Sequence, residues 1–124
     1  MTALKLLVLW ILARLGLVKA PDFVVRYAPT HPSQDQIGRG EMVIVRNGSL
    51  TKWACIKCPC GCGDKISLSL DQDRRPSWTV SEDFLSRPTV YPSVHQLARC
   101  NAHFWIKSGK VKFTPDSGRP NVKV

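Results

Sequence analysis

Apolar positions dominate the start of the chain and then give way to short alternating runs. Residues 4–18 are almost all apolar, broken by Arg14 and Gly16, with Lys5 near the beginning and no proline before Pro21. Such a run predicts a helix. On a helical wheel Thr2, Lys5, Gly16 and Lys19 gather on one side and Arg14 falls on the opposite face. The run is shorter than the roughly 20 residues that a transmembrane helix needs. A signal peptide would suit Lys5 ahead of a short apolar stretch ending near Ala20. Against it, Arg14 interrupts the stretch and Pro21 would follow the cut. Two other readings stand beside it. One is packing on the domain or a partner; the other is attachment to a membrane surface through Lys and Arg beside Trp10 and the leucines.

From residue 28 to 40 the pattern breaks into a loop, with Pro29, Pro32, Gly38 and Gly40 among polar residues. Residues 42–46 and 50–56 are β-prone and flank Asn47-Gly48, a strong hairpin signal because its turn positions need positive φ. Residues 65–70 alternate apolar and polar side chains as a half-buried strand does. Residues 71–76 are turn-like, 78–80 form a short β segment, and 88–93, with two prolines, predict an extended, irregular stretch. A second hairpin follows, 103–107 and 110–113 around Ser108-Gly109. The expected fold is mainly β: a small metal-stapled β-hairpin domain with an N-terminal helix. Its expected parts are an apolar helix at 1–20, a linker at 21–35, a zinc-binding β domain at 36–114 and a flexible tail at 115–124.

With 124 residues and a hydrophobic fraction of 44%, the chain suits one globular domain and not a wholly disordered one. Its formal charge of +9 would attract anionic partners. Arg74-Arg75 is the one adjacent basic pair, however, so no basic stripe argues for nucleic acid. The five cysteines, Cys55, Cys58, Cys60, Cys62 and Cys100, cannot all pair internally. Four of them crowd into residues 55–62, which suits metal ligands in a reducing, cytoplasmic compartment better than a disulfide framework.

The segment Cys58-Pro59-Cys60-Gly61-Cys62-Gly63 carries the metal argument, together with the distant Cys100-Asn101-Ala102-His103. Zinc takes four N or S ligands in a tetrahedron. Pro59 stiffens the loop, while Gly61 and Gly63 permit the backbone angles that aim alternate thiolates inward. The favoured ligand set is Cys58, Cys60, Cys62 and Cys100 around a structural Zn2+; in the alternative, His103 replaces one thiol. Cys55 reads as a core residue. A catalytic zinc is disfavoured, because three or four thiolates suit closed sites and no helical His-and-Glu zinc motif is present.

The Cys58–Gly63 run, then Pro92-Ser93, then Cys100-x-x-His103-Phe104-Trp105-Ile106 with Gly109-Lys110-Val111, resembles a family of small bacterial proteins that accompany ubiquitin-like conjugation genes. The similarity covers about residues 36–113. Two departures stand out: Ala102 where the family usually has Ser, and Val94-His95-Gln96 where Gly-Asn-Trp often follows the Pro-Ser pair. The resemblance implies a peptidase-like role in processing or removing a ubiquitin-like tag. Its partners would be the ubiquitin-like protein or its conjugation enzymes.

If four thiols hold the metal, Ser93 and His103 become candidates for nucleophile and base. Ser93 lies in an irregular stretch that can present a hydroxyl, and a histidine is suited to accept its proton. Asp64, Glu82 and Asp83 are the candidates to orient the histidine. The competing roles are a turn hydroxyl for Ser93 and a metal ligand or structural residue for His103. His31 and His95 read as surface residues, and Trp53, Trp78 and Trp105 as core or groove aromatics. The leading function is a serine-type hydrolase acting on a ubiquitin-like protein. The rival is a non-catalytic, zinc-stabilised binding module of the same pathway, and either could be tethered to a membrane.

Overall fold

The structure, a computed structural model, describes residues 3–16, 21–96 and 100–117. These comprise a helix, α1 (Ala3–Arg14), and eight strands: β1 (Val24–Ala28), β2 (Glu41–Asn47), β3 (Leu50–Lys57), β4 (Lys65–Ser69), β5 (Thr79–Glu82), β6 (Pro88–His95), β7 (His103–Lys107) and β8 (Lys110–Phe113). The strands form two four-stranded sheets, ordered β1-β2-β3-β4 and β5-β6-β7-β8. The mainly β reading holds.

Alternation sets the inner faces. In β4, Ile66 and Leu68 are buried between half-buried Lys65, Ser67 and Ser69. Ile66 and Leu68 join Met42, Ile44, Ala54 and Ile56 of the first sheet and Val90, Val94, Phe104 and Ile106 of the second in one core. Strand β2 is buried on both faces: Val43 and Val45 pack with Ile37 and Cys55 in a separate cluster on the far side of the sheet. The β2–β3 hairpin pairs Asn47 with Leu50, so its turn is Gly48-Ser49, with Gly48 at φ 63°.

Two strands lie where no strand was expected. β1 falls inside the 21–35 segment read as linker and pairs in parallel with β2. Its opposite edge meets the β5–β6 connection, where the Val25 N–H donates to the Ser86 carbonyl at 2.9 Å. The run Val24-Val25-Arg26-Tyr27 is β-prone, but its partner comes after a long loop, so no local turn announces it. β6 accommodates its prolines as strands do: Pro88 opens it, and Pro92 sits where the register shifts between Val90 and Val94.

Gly109, in the β7–β8 turn at φ 80°, fastens the start of β1. Its carbonyl accepts from the N–H groups of Asp22 (2.7 Å) and Phe23 (2.9 Å), and its own N–H donates to Pro88 (2.7 Å). A Cβ there would lie 2.6 Å from Pro21 Cβ and 2.8 Å from the Phe23 carbonyl oxygen. Gly109→Ala is therefore expected to destabilise by more than the roughly 1–2 kcal/mol of left-handed strain alone. Denaturant titration checks this: the midpoint should fall with the slope unchanged.

Helix α1 carries exposed Leu4, Leu6, Leu7, Trp10 and Ile11, with Leu9 its buried residue. Among the described residues, no helix is long and apolar enough to cross a membrane. Thr2 and Lys19 of the wheel, and the tail beyond residue 117, lie outside the described residues.

Candidate active site and metal centre

The β3–β4 connection is a tightly closed loop. The Cys58 N–H donates to the Asp64 carbonyl at 2.8 Å and the Gly61 N–H to the Cys58 carbonyl at 3.3 Å. Gly61 (φ 98°) and Gly63 (φ 80°) take left-handed angles that L side chains rarely adopt. The result turns Cys58, Cys60 and Cys62 toward Cys100, which arrives from the β6–β7 connection. Their four Sγ atoms all lie within 4.8 Å of one another. Separations of 3.4 Å (Cys58–Cys60), 3.5 Å (Cys58–Cys100) and 3.9 Å (Cys62–Cys100) bracket the spacing of about 3.8 Å that four 2.3 Å metal–sulfur bonds impose in a tetrahedron.

The donor set fits a metal ion. Cys58 and Cys60 are buried, Cys100 is half-buried and Cys62 is exposed. Burial, reinforced by the neighbouring thiols, pushes the Cys58 thiol far above its ordinary value, so a bare thiolate there would be costly. Burial likewise drives Cys62 up, to about 11. At Cys60 burial opposes ionisation, but hydrogen bonds from Cys100 and Cys62 outweigh it and the thiol titrates below its usual range. A cation supplies the charge that lets such thiols ionise together.

The second cluster is built on β6 and β7. Between Val90 and Val94 the register of these strands slips, and Ser93 projects from that bulge. Such irregularities re-aim side chains. The Ser93 carbonyl accepts from the Trp78 indole N–H at 3.2 Å, which holds the bulge from the β5 side. Ser93 Oγ lies 2.8 Å from His103 Nε2. On the other edge of the imidazole, Nδ1 lies 2.9 Å from Asp116 Oδ1. With the carboxylate accepting from Nδ1–H, Nε2 is left to accept the serine proton.

The turn after β8 wraps His103. The Thr114 N–H donates to the His103 carbonyl (2.9 Å) and the His103 N–H donates to Ser117 Oγ (2.9 Å). The hydroxyl of Thr114 donates to Asp116, and with the His103 bond it holds that carboxyl below its ordinary range. Asp116 is the carboxylate that reaches Nδ1, and not the expected Asp64, Glu82 or Asp83. Those three are engaged elsewhere: Asp64 with the Cys62 thiol at 3.7 Å, Glu82 with the Tyr27 hydroxyl at 2.7 Å, and Asp83 with Arg87 at 2.6 Å. The hairpin register carries the signal for Asp116. Phe104 pairs with Phe113, so the residues just past 113 must return beside His103.

A family model for the bacterial ubiquitination-like system serine protease (BubE) matches residues 28–114. The chain belongs to the BubE family. The match takes in Ser93, His103 and all five cysteines and stops short of Asp116. No curated protein and no solved structure gives a significant match.

Elsewhere in this BubE chain, Cys55 lies outside the thiol cluster, fully buried, with His31 Nε2 at 3.5 Å and Ser67 Oγ at 3.8 Å. His31 is exposed as expected. His95 is not a free surface residue: it is half-buried, and its ring lies parallel to that of His103. Trp53, Trp78 and Trp105 are half-buried, and Trp105 faces Tyr91 across β6 and β7.

Proposed function

We propose that this BubE chain is a serine-type peptidase that cleaves after the C-terminus of a ubiquitin-like protein, to process or remove the tag. Ser93 is the nucleophile, His103 the general base and Asp116 the group that orients it. The observation that carries the reading is the unbroken sequence of contacts from Ser93 Oγ through both ring nitrogens of His103 to Asp116. A binding module would account for the cysteines and leave this relay without a purpose.

Ser93 Oγ attacks the scissile carbonyl as Nε2 takes its proton, forming a tetrahedral adduct. Collapse breaks the C–N bond, and His103 returns the proton to the departing amine. Water then repeats the sequence on the acyl-serine: Nε2 accepts a proton from water, the ester bond breaks, and Ser93 recovers its hydrogen. Asp116 keeps Nδ1 protonated throughout and balances the transient imidazolium. Structural zinc on Cys58, Cys60, Cys62 and Cys100 would supply folding energy and hold the loop carrying Cys100, taking no part in proton transfer. The exposed apolar surface of α1, with Lys5 and Arg14 on the same helix, supports anchorage to a membrane surface or a pathway partner.

Asp116→Asn tests the orienting role on a ubiquitin-like protein bearing a C-terminal extension. Asp116 is 66% exposed, so the loss in kcat should be on the order of a hundredfold, short of the ~10⁴-fold that a buried aspartate commands. Unchanged kcat would remove Asp116 from the mechanism. Because the folded-state carboxyl titrates below its ordinary range, its contribution is present above that range and is lost as pH falls through the lowered value.

A further inference from the structure

His103 is gripped at its two edges, by Ser93 and by Asp116. Two edge bonds leave a flat ring free to tip about the line that joins them. One of the grips is also soft, since Asp116 is exposed and sits beyond the last strand. The face of the ring is therefore the place where a rigid support matters most.

That support is present. His95 is the direct cross-strand partner of His103, and the two imidazoles stack with centroids 4.4 Å apart and planes 3° from parallel. His95 stands two residues after Ser93 on β6, both before the loop that brings Cys100. The outer edge of its ring is held in turn, as Nε2–H donates to Asn101 Oδ1 at 2.8 Å. Asn101 is fixed by its own backbone: it takes a left-handed φ of 60°, and its N–H donates to the Gln96 carbonyl at 3.0 Å. The Gln96 N–H donates to the Ala102 carbonyl at 2.8 Å, which closes the neck of the β6–β7 connection. Asn101 directly follows Cys100, a member of the thiol cluster.

We propose that His95 is a positioning residue for the hydrolysis, its ring serving as the plate against which the His103 imidazole is kept upright. Asn101 is the bracket that holds the plate. This inference rests on the serine mechanism proposed above. It also links the two centres of the molecule, because the loop that carries Cys100 to the metal carries the bracket to the base. Tipping the imidazole turns the in-plane lone pair of Nε2 off the Ser93 hydroxyl without altering the surface that receives substrate. The expected defect is thus in kcat and not in KM.

The test compares wild type, Ser93→Ala, His95→Ala, His95→Phe and Asn101→Gly on a ubiquitin-like protein with a C-terminal extension. Asn101→Gly deletes the side chain and keeps the left-handed backbone available. His95→Ala should lose about 10- to 100-fold in kcat with KM within about twofold, the size expected when a reacting group loses its near-attack alignment. His95→Phe restores a flat ring but, like Asn101→Gly, lacks the bond to the bracket, so both should recover to about three- to tenfold below wild type. Proton NMR supplies a readout independent of turnover: the low-field His103 Nδ1–H resonance should persist in wild type and His95→Phe and broaden away in His95→Ala. If Ser93→Ala abolishes cleavage while His95→Ala keeps wild-type kcat and the low-field resonance, the positioning role is overturned and the serine mechanism stands. Cleavage that survives in Ser93→Ala overturns both. Should His95→Ala fold poorly, His95→Phe and Asn101→Gly decide: wild-type kcat in Asn101→Gly, or Phe no better than a hundredfold loss, counts against the stack.

Discussion

Ser93→Ala and His103→Ala are each expected to lose cleavage of a tagged ubiquitin-like protein by at least about a thousandfold, with the double variant scarcely worse than either alone. The basis is the 2.8 Å contact between Ser93 Oγ and His103 Nε2, which makes the two side chains one proton-transfer unit. Removing the hydroxyl deletes the bond-forming atom, and removing the imidazole leaves a hydroxyl that cannot shed its proton near neutral pH. Both variants should keep their metal, because His103 uses both ring nitrogens away from the four thiols. Steady-state rates alongside elemental analysis decide the matter. Metal loss in His103→Ala, with Ser93→Ala behaving as wild type, would place His103 among the ligands.

Cys58→Ser is expected to unfold the domain. Cys58 is 4% exposed and lies in the main core beside residues of both sheets. Binding of a structural zinc contributes on the order of 10 kcal/mol, comparable to the whole stability of a small domain. Wild type purified without added metal should contain about one zinc per chain, and a strong chelator should abolish the cooperative thermal transition. Less than about 0.3 equivalents of zinc or iron, with freely titratable thiols, would contradict this. Cys55→Ser should retain its metal, since Cys55 faces His31 and Ser67 and stands apart from the cluster.

What could be read in the chain depended on how local the determining contacts are. Strands β2, β3, β4, β7 and β8 announce themselves through alternation and adjacent turns, because each pairs with its neighbour in sequence. β1 does not, because its parallel partner lies beyond a loop rich in proline and glycine. β6 is masked by Pro88 and Pro92, which the ladder tolerates at its first residue and at the bulge. Alternating spacing marks Cys58, Cys60 and Cys62, but Cys100 is distant in sequence and competes with His103 for the fourth place until the fold brings the four thiols together; Ser93 and His103 stand out through the family motif. Asp116 does not. It sits in a segment that looks loose by composition, and only the β7–β8 register brings it beside His103. His95 reads as a surface residue for a similar reason, since its partner is set by the pairing of β6 with β7.

Acylation of Ser93 can be caught by covalent trapping. A ubiquitin-like protein carrying a serine-reactive electrophile at its C-terminus would be incubated with the chain, and the product mapped by peptide mass spectrometry. A single adduct on Ser93 is expected, absent in Ser93→Ala and slowed at least about a hundredfold in His103→Ala. An adduct on the exposed Cys62, or cleavage that continues in Ser93→Ala without any adduct, would contradict it.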